Sequence, residues 1–91
     1  MSEVVMYCTR LCPYCMRADQ LLTRKGVPIR KIRVDNKPEL WEEMEKITGR
    51  DTVPQIFIGD RHVGGYDDLV ELDVAGELDP LLEPILEAAR G

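Results

Sequence analysis

The sequence predicts an α/β fold in which helices flank a mixed four-stranded sheet, with the element order βαβαββα followed by a C-terminal helix. Residues 3–34 contain a strand, an amphipathic helix and a strand in succession, and such a unit places its strands in parallel through a right-handed crossover. Residues 55–63 contain two short strands around a Gly59-Asp60 turn, which adds an antiparallel edge. The 91 residues are expected to form one domain over residues 1–91.

The first strand and the first helix are indicated by their apolar residues and by their end signals. Residues 3–8 are short, apolar and rich in β-formers, as a buried strand is. Residues 16–25 have helical spacing, and Gly26 follows where a helix ends. Pro13 suits the first helical position, because its missing N–H has no partner there in any case. The apolar positions of this helix are Ala18, Leu21 and Leu22.

The second strand and the second helix follow in the same way. Residues 27–34 are typical of a strand, with Ile32 and Val34 on one face. Pro38 is expected to open the next helix, and Gly49 is expected to end it. The apolar positions of that helix, spaced i, i+4 and i+7, are Leu40, Met44 and Ile47.

The C-terminal part of the chain predicts two further helices. Gly64-Gly65 end the edge strand, and residues 66–74 resume helical spacing. Asp79 and Pro80 are expected to be the N-cap and the first residue of the last helix. Pro84 then falls within about the first turn, where proline is tolerated. The apolar positions of the last helix are Leu82, Ile85 and Leu86.

Composition and charge narrow the class of protein. With 44% hydrophobic and 32% charged residues, the chain is expected to be an ordinary soluble globule, and no apolar run approaches the ~20 residues that span a bilayer. Residues 1–3 lack the features of a signal peptide, so a cytoplasmic location is expected. The net charge of −5 argues against a nucleic-acid partner, and the acidic residues, densest between Asp67 and Glu87, are expected to form a solvated face. We expect a monomer.

The segment Cys12-Pro13-Tyr14-Cys15 lies where the first strand is followed by the first helix. Cys12 is therefore placed at a helix N-terminus, where unpaired N–H groups and the helix dipole stabilise a thiolate. Cys15 lies one turn further along and is close enough to form a disulfide with Cys12. A nucleophilic thiolate beside a second thiol is the chemistry of thiol–disulfide exchange, so both residues are predicted to be catalytic.

Other interpretations of the cysteines need ligands or chain length that this sequence does not offer. Zinc normally takes four ligands, and beyond Cys12 and Cys15 the candidates are Cys8 and His62, so no metal is expected. Together with Cys8, the spacing resembles the cluster-binding triad of radical SAM enzymes, which need a far larger barrel. The plainer interpretation of Cys8 is a small apolar residue that closes a buried strand.

A Cys-x-x-Cys beside a βαβ unit is typical of a thioredoxin-like fold. Over almost its whole length the chain also resembles a dithiol glutaredoxin. The resemblance implies a glutathione-dependent oxidoreductase that serves electron transport and cell redox homeostasis, with glutathione as reducing co-substrate and with disulfide-bearing or glutathionylated proteins as partners. Relatives that hold iron–sulfur clusters typically have serine in place of the second cysteine. Because Cys15 is present here, that branch fits less well, and a glutathione-assisted cluster carrier is the alternative function. The matching stretches are residues 12–15, 49–58, 64–69 and 78–82.

The resemblance also assigns glutathione contacts. Pro54 is implied to be cis and to lie beside the cysteines, which leaves the backbone of Val53 able to bond an extended peptide. The alternative for this segment is a simple turn before a strand. The implied contacts are Arg10, Tyr14, Thr52, Val53, Pro54, Gly65, Tyr66 and Asp67.

The segment Gly64-Gly65-Tyr66-Asp67-Asp68 has both a structural and a functional interpretation. Two glycines and a capping aspartate are enough to end a strand and to begin a helix. Under the resemblance, the N–H groups of Tyr66 and Asp67 hold the γ-glutamyl carboxylate of glutathione, while Asp67 accepts from its ammonium group.

The position three residues before the first cysteine departs from the family pattern. Many glutaredoxins have a lysine there, whereas this chain has Thr9 followed by Arg10. Arg10 is expected to replace that lysine, although an adjacent residue of an extended chain points the other way and a solvated charge is the alternative. Arg50 and Lys37 are other possible cations.

Overall fold

A computed structural model describes residues 3–90 of the chain. Met1 and Ser2, the start of the segment considered for an export signal, lie outside the described residues. The order predicted from the sequence, βαβαββα followed by a C-terminal helix, is confirmed. The elements are β1 (Val4–Cys8), α1 (Pro13–Arg24), β2 (Ile29–Arg33), α2 (Pro38–Thr48), β3 (Gln55–Ile58), β4 (Arg61–Gly64), α3 (Tyr66–Val74) and α4 (Leu78–Arg90).

The four strands form one mixed sheet in the order β2-β1-β3-β4. β1 and β2 are parallel, as the strand–helix–strand pattern predicts, and β3 is antiparallel to both β1 and β4. Tyr7 of β1 is paired with Gln55 of β3. This register brings the end of β1, which leads to the cysteines, beside the start of β3, which follows Pro54.

The two faces of the sheet are covered by different helices. Val4, Met6 and Cys8 of β1 face a core that includes α1, α3 and α4 residues such as Leu22 and Leu69, all buried. The other face carries a smaller core of Tyr7, Val34 and Met44, with Leu40, Trp41 and Phe57 packed against it.

The expectation that Ile47 joins the core is wrong, since its side chain is 51% exposed. Trp41, which is not part of the i, i+4, i+7 pattern, packs against the smaller core. At about 100° per residue, Ile47 and Trp41 lie on opposite sides of Met44 around α2. The buried stripe is therefore centred nearer Trp41 than the apolar spacing alone indicated.

The last helix begins earlier than the sequence indicated. α4 starts at Leu78, which is fully buried, so Asp79 lies in the first turn and is not the N-cap. The Asp79 carboxylate pairs with Lys25 Nζ at 2.9 Å. Pro84 is the seventh residue of the helix, two residues deeper than expected. Its exposed position allows water to bond the backbone carbonyl oxygen that proline, which has no N–H, leaves without a partner.

Helix ends elsewhere agree with the sequence signals. α1 begins at Pro13, α2 begins at Pro38 and α3 spans the predicted residues 66–74. Gly49 ends α2 in the left-handed region, with φ of 70°. Within residues 3–90, no helix has both the length and the apolar character needed to cross a membrane.

Candidate thiol site and its groove

Cys12 is the N-cap of α1, where the chain leaves an extended conformation and Pro13 begins the helix. Its sulfur accepts a hydrogen bond from the backbone N–H of Cys15 at 3.2 Å. An N–H at a helix N-terminus has no partner within the helix, and directing it at sulfur stabilises negative charge on that atom. Cys12 is 9% exposed, so only a small part of the residue is open to solvent.

Cys15 lies beneath Cys12 in the first turn of α1 and is 4% exposed. Burial, followed by a hydrogen bond from its own thiol to the Cys12 sulfur, raises the pKa of Cys15 to about 12. Cys15 therefore stays a thiol at neutral pH and donates to Cys12, which adds a second donor to that sulfur. No disulfide joins the cysteines, which are free thiols here.

Cys8 ends β1 and packs in the same core as the other two cysteines. Its side chain is 4% exposed, and burial raises the pKa of its thiol, against the lowering effect of Lys31 and Arg33. A thiol that is buried and kept protonated is a poor nucleophile, which agrees with the interpretation of Cys8 as an apolar residue that closes a strand.

The segment Thr52-Val53-Pro54 lies against the cysteines. The Val53-Pro54 peptide bond is cis, as the family resemblance implied. The Val53 carbonyl oxygen is 3.8 Å from the Cys12 sulfur, and Pro54, which has no N–H, is buried next to it. Val53 thus presents a backbone carbonyl to whatever is attached to Cys12.

A hydrogen-bonded polar pair that sequence reasoning missed, the buried Gln55 and the half-buried His62, holds this segment in place. Gln55 is fully buried, and its side-chain amide donates to the Thr52 carbonyl oxygen at 3.0 Å. Its remaining oxygen must then accept from His62 Nε2, 2.7 Å away. Burial is the main cause that lowers the pKa of His62, so the ring stays neutral near pH 7 and still donates this bond. In the sequence, the feature that could have indicated this pair is a glutamine within an apolar strand, directly after a proline.

The start of α3 is held by Asp68, whose role the sequence did not single out. Its Oδ2 accepts from the backbone N–H of Gly65 at 2.8 Å and from Arg50 Nη1 at 2.8 Å. The Arg50 bond, followed by the Gly65 bond, lowers the pKa of Asp68. Gly64 has φ of 116°, and a Cβ there would lie 2.9 Å from Asp68 Cγ and 3.0 Å from Arg50 Nη1. The first glycine of the pair therefore makes room for this ion pair.

These segments enclose a groove of about 200 Å³ beside Cys12. Seven of the eight residues predicted to contact glutathione line it, and Arg50 and Asp68 line it as well. Tyr14 and Tyr66 flank the groove with ring centroids 6.3 Å apart. The lining residues are Tyr14, Arg50, Thr52, Val53, Pro54, Gly65, Tyr66, Asp67 and Asp68.

The remaining predicted contact, Arg10, is placed elsewhere. It lines a second cavity of about 170 Å³ together with Cys8, Cys15, Lys31 and Arg33. Its backbone N–H bonds the carboxylate of Asp35. Arg50 lines the groove and Arg10 does not, and the expectation that Arg10 takes the place of the usual lysine stays a prediction. Thr9 and Arg10 both line that second cavity, so the turn that follows β1 places both residues outside the lining of the groove.

Within the part of the chain that the structure describes, no three or more His, Cys, Asp or Glu side chains are arranged to hold a metal ion.

Comparisons with known proteins identify the family of this chain. The glutaredoxin family model matches residues 4–63 of the chain. A glutaredoxin of Pseudomonas aeruginosa is 57% identical over 82 residues, which cover 90% of this chain and 98% of that protein. Glutaredoxin 3 of Escherichia coli is 51% identical over 83 residues, which cover 91% of this chain and all of that protein.

The fold is shared with solved structures as well. The crystal structure of a buckwheat glutaredoxin–glutathione complex superposes with a TM-score of 0.85 at 30% identity, and the match covers 92% of this chain and 79% of that one. The mixed sheet and its flanking helices are therefore a thioredoxin-like fold, as predicted.

Proposed function

Since the chain belongs to the glutaredoxin family of glutathione-linked thiol oxidoreductases, we propose that it reduces protein–glutathione mixed disulfides and protein disulfides through Cys12 and Cys15. The observation that carries the proposal is the position of Cys12. Its sulfur receives the Cys15 N–H at a helix N-terminus and adjoins a groove lined by peptide-binding groups.

Removal of glutathione from a protein needs only Cys12. The Cys12 thiolate attacks the glutathione sulfur of the mixed disulfide, the disulfide breaks, and the protein sulfur leaves and takes up a proton. Cys12 is then joined to glutathione. The thiolate of a second glutathione attacks the glutathione sulfur of this intermediate, which releases oxidised glutathione and returns Cys12 as a thiolate.

Reduction of a protein disulfide uses both cysteines. Cys12 attacks one sulfur of the client, and the mixed disulfide that forms is attacked by Cys15, which loses its proton as it does so. The client leaves with two thiols, and a Cys12–Cys15 disulfide remains. Two glutathione molecules reduce that disulfide in turn. Glutaredoxin potentials of about −200 to −230 mV lie near that of cellular glutathione, so the reaction runs in both directions.

The groove offers complementary groups for each end of glutathione. The N–H groups of Tyr66 and Asp67 at the start of α3 are proposed to hold the γ-glutamyl carboxylate, and the Asp67 carboxylate to hold the ammonium group beside it. The backbone of Val53 is proposed to pair with the central residue of the tripeptide. Arg50 supplies the cation for the glycine carboxylate, since it lines the groove and Arg10 does not.

The reducing cytoplasm is the proposed location, because reduced glutathione is kept abundant there. The chain is proposed to act as a monomer, since the groove and both thiols come from one chain.

A coupled assay tests the proposal. Glutathione reductase and NADPH report oxidised glutathione as it forms from a small mixed disulfide, with and without added glutathione. We expect turnover that needs glutathione and is absent in Cys12→Ser. A protein that shows no turnover, and that is brown with visible absorption after anaerobic purification, would instead support the cluster-carrier alternative.

A further inference from the structure

The two parts of the chain differ strongly in charge. Residues 1–37 contain eight Lys or Arg residues and three Asp or Glu residues. Residues 38–91 contain four Lys or Arg residues and fourteen Asp or Glu residues. The first part, with β1, α1 and β2, is therefore basic, although the whole chain has a net charge of −5. Cys12 belongs to the basic part, while most of the groove residues belong to the acidic part.

Four cations that do not line the groove lie near the turn that carries Cys12 and Cys15, and we call them the basic rim. Arg10, Lys31 and Arg33 line the second cavity, and Arg17 Cζ lies 5.5 Å from the centre of the Tyr14 ring. Lys31 pairs with Asp19, and Arg33 pairs with Asp35. Within residues 3–90 the guanidinium groups of Arg10 and Arg17 form no ion pair, so the rim has an excess of positive charge.

Exposed apolar side chains accompany these cations. Leu11, directly before Cys12, is 88% exposed, and Met16, which also lines the second cavity, is 60% exposed. Met and Arg side chains are enriched in protein interfaces, and exposed apolar side chains near a reactive atom add area that a partner can bury. The groove carries the carboxylates of Asp67 and Asp68 with the cation Arg50, so the groove and the basic rim differ in charge.

We propose that the basic rim, with Leu11 and Met16, docks the polypeptide of a client protein next to its disulfide, and that this client segment carries acidic and apolar side chains. The inference rests on the proposed function and names the class of protein that it acts on. Opposite charges on the two surfaces of an interface raise the rate of association, and like charges disfavour other partners. Apolar contacts then stabilise the complex. The groove stays free for glutathione.

Nucleic acid fits this surface less well than an acidic polypeptide does. Affinity for a phosphate backbone depends on several cations that neutralise successive phosphates. Two of the four rim cations already have carboxylate partners, and the strongly acidic residues 38–91 would repel a long polyanion.

Three peptides of one sequence, each joined to glutathione through a single cysteine, provide the kinetic test. Their flanks carry Glu, Ser or Lys together with leucines. We expect kcat/KM to be highest with Glu and lowest with Lys, differing by about tenfold or more at low salt. About 0.5 M NaCl should remove most of this difference. Equal kcat/KM values for the three peptides at low salt would overturn the proposal.

The variant that tests the rim reverses two charges, Arg10→Glu with Lys31→Glu. We expect it to lose the preference for the Glu peptide and to retain turnover of a small uncharged mixed disulfide within about twofold, since that substrate has no flanks to dock. The matched control is Arg24→Glu with Arg61→Glu, which changes the net charge equally. Arg24 ends α1 and Arg61 begins β4. An equal loss of the preference in this control would overturn the proposal.

A binding measurement separates this inference from the proposed function, because it needs no turnover. A fluorescent Glu peptide with serine in place of cysteine is titrated with the protein, and anisotropy reports binding. We expect saturable binding that the rim variant weakens at least about fivefold and that the control variant retains. Absent binding, stronger binding of an oligothymidylate, or a dimer in sedimentation that the rim variant abolishes would each overturn the assignment. Lack of activity with small mixed disulfides would overturn the proposed function alone.

Discussion

The backbone N–H of Cys15 donates to the sulfur of Cys12 over 3.2 Å, and the Cys15 thiol donates to the same sulfur. One residue thus supplies two donors to its neighbour, one from the backbone and one from the side chain. The backbone donor does not depend on the identity of residue 15, whereas the thiol donor does. This difference determines what replacement of each cysteine is expected to do.

Cys12→Ser is expected to abolish both proposed reactions, by at least about 100-fold in kcat/KM, because it removes the attacking sulfur. Rapid alkylation of the reduced protein by iodoacetamide should disappear with it. Cys8→Ser is the matched control, since Cys8 is also a buried free cysteine but ends a strand instead of starting a helix. It should retain turnover within a few-fold. An unchanged alkylation profile in Cys12→Ser would reject the assignment.

Cys15→Ser is expected to separate the two reactions. Removal of glutathione should persist, because the backbone N–H still reaches Cys12 and the second thiol comes from solution. Reduction of a protein disulfide should fall sharply, and a stable client adduct at Cys12 should accumulate and be visible by mass spectrometry. Equal loss of both reactions would mean that the Cys15 thiol is essential to the shared first step.

The pKa of Cys15, raised to about 12 by burial and by its bond to Cys12, predicts how stability depends on pH. In the unfolded chain a cysteine ionises near its ordinary value of about 8.5. Between these values the folded state holds a proton that the unfolded state has lost, so stability is complete below about pH 8.5 and falls as pH rises towards 12. Urea unfolding of the reduced protein at several alkaline pH values measures this fall. Cys15→Ser should show a smaller decline, and parallel declines would contradict the prediction.

Arg50→Gln is expected to raise the KM for glutathione by about threefold to tenfold with little change in kcat, since an exposed ion pair contributes about 1 kcal/mol. Arg50→Lys should restore part of the affinity, and added salt should weaken binding in the original protein more than in the Gln variant. Arg10→Gln is the control, and its KM is expected to stay within about twofold because Arg10 lines the other cavity. If Arg10→Gln raised the KM for glutathione more than Arg50→Gln did, Arg10 and not Arg50 would bind the glycine carboxylate.

Gly64→Ala and Gly49→Ala form a pair that tests the crowding around Asp68. Both glycines have positive φ, so either alanine has a backbone cost of about 1 kcal/mol. Only at Gly64 would the new Cβ also press on the Asp68 carboxylate and on Arg50, whereas nothing lies within 4 Å at Gly49. We expect Gly64→Ala to lose about 1–2 kcal/mol more in urea unfolding and to raise the KM for glutathione. Equal losses in both variants would argue against a role for this close contact.

Much of the site could be predicted from short segments of sequence, because local chemistry decides their conformation. Pro13 after Cys12 specifies a helix start, and a helix start leaves N–H groups that face the cysteine whatever the rest of the chain does. The order of the strands followed from their apolar patterns and from the handedness of crossovers. The seven predicted residues that line the groove were identified from the family motifs, in which these residues occur at fixed spacings.

What the sequence alone determined about this protein is therefore the order of its elements, the placement of Cys12 and Cys15 at a helix N-terminus and the family. Only the tertiary structure decided that Arg50 and not Arg10 reaches the groove, that Asp68 holds Arg50 from 18 residues away, and that Gln55 joins His62 to the loop before β3. The physical reason is the range of the interactions. Helix ends are set by dihedral angles and bonds within one turn, whereas partners distant in sequence meet only after the strands have paired in one register, with Tyr7 beside Gln55.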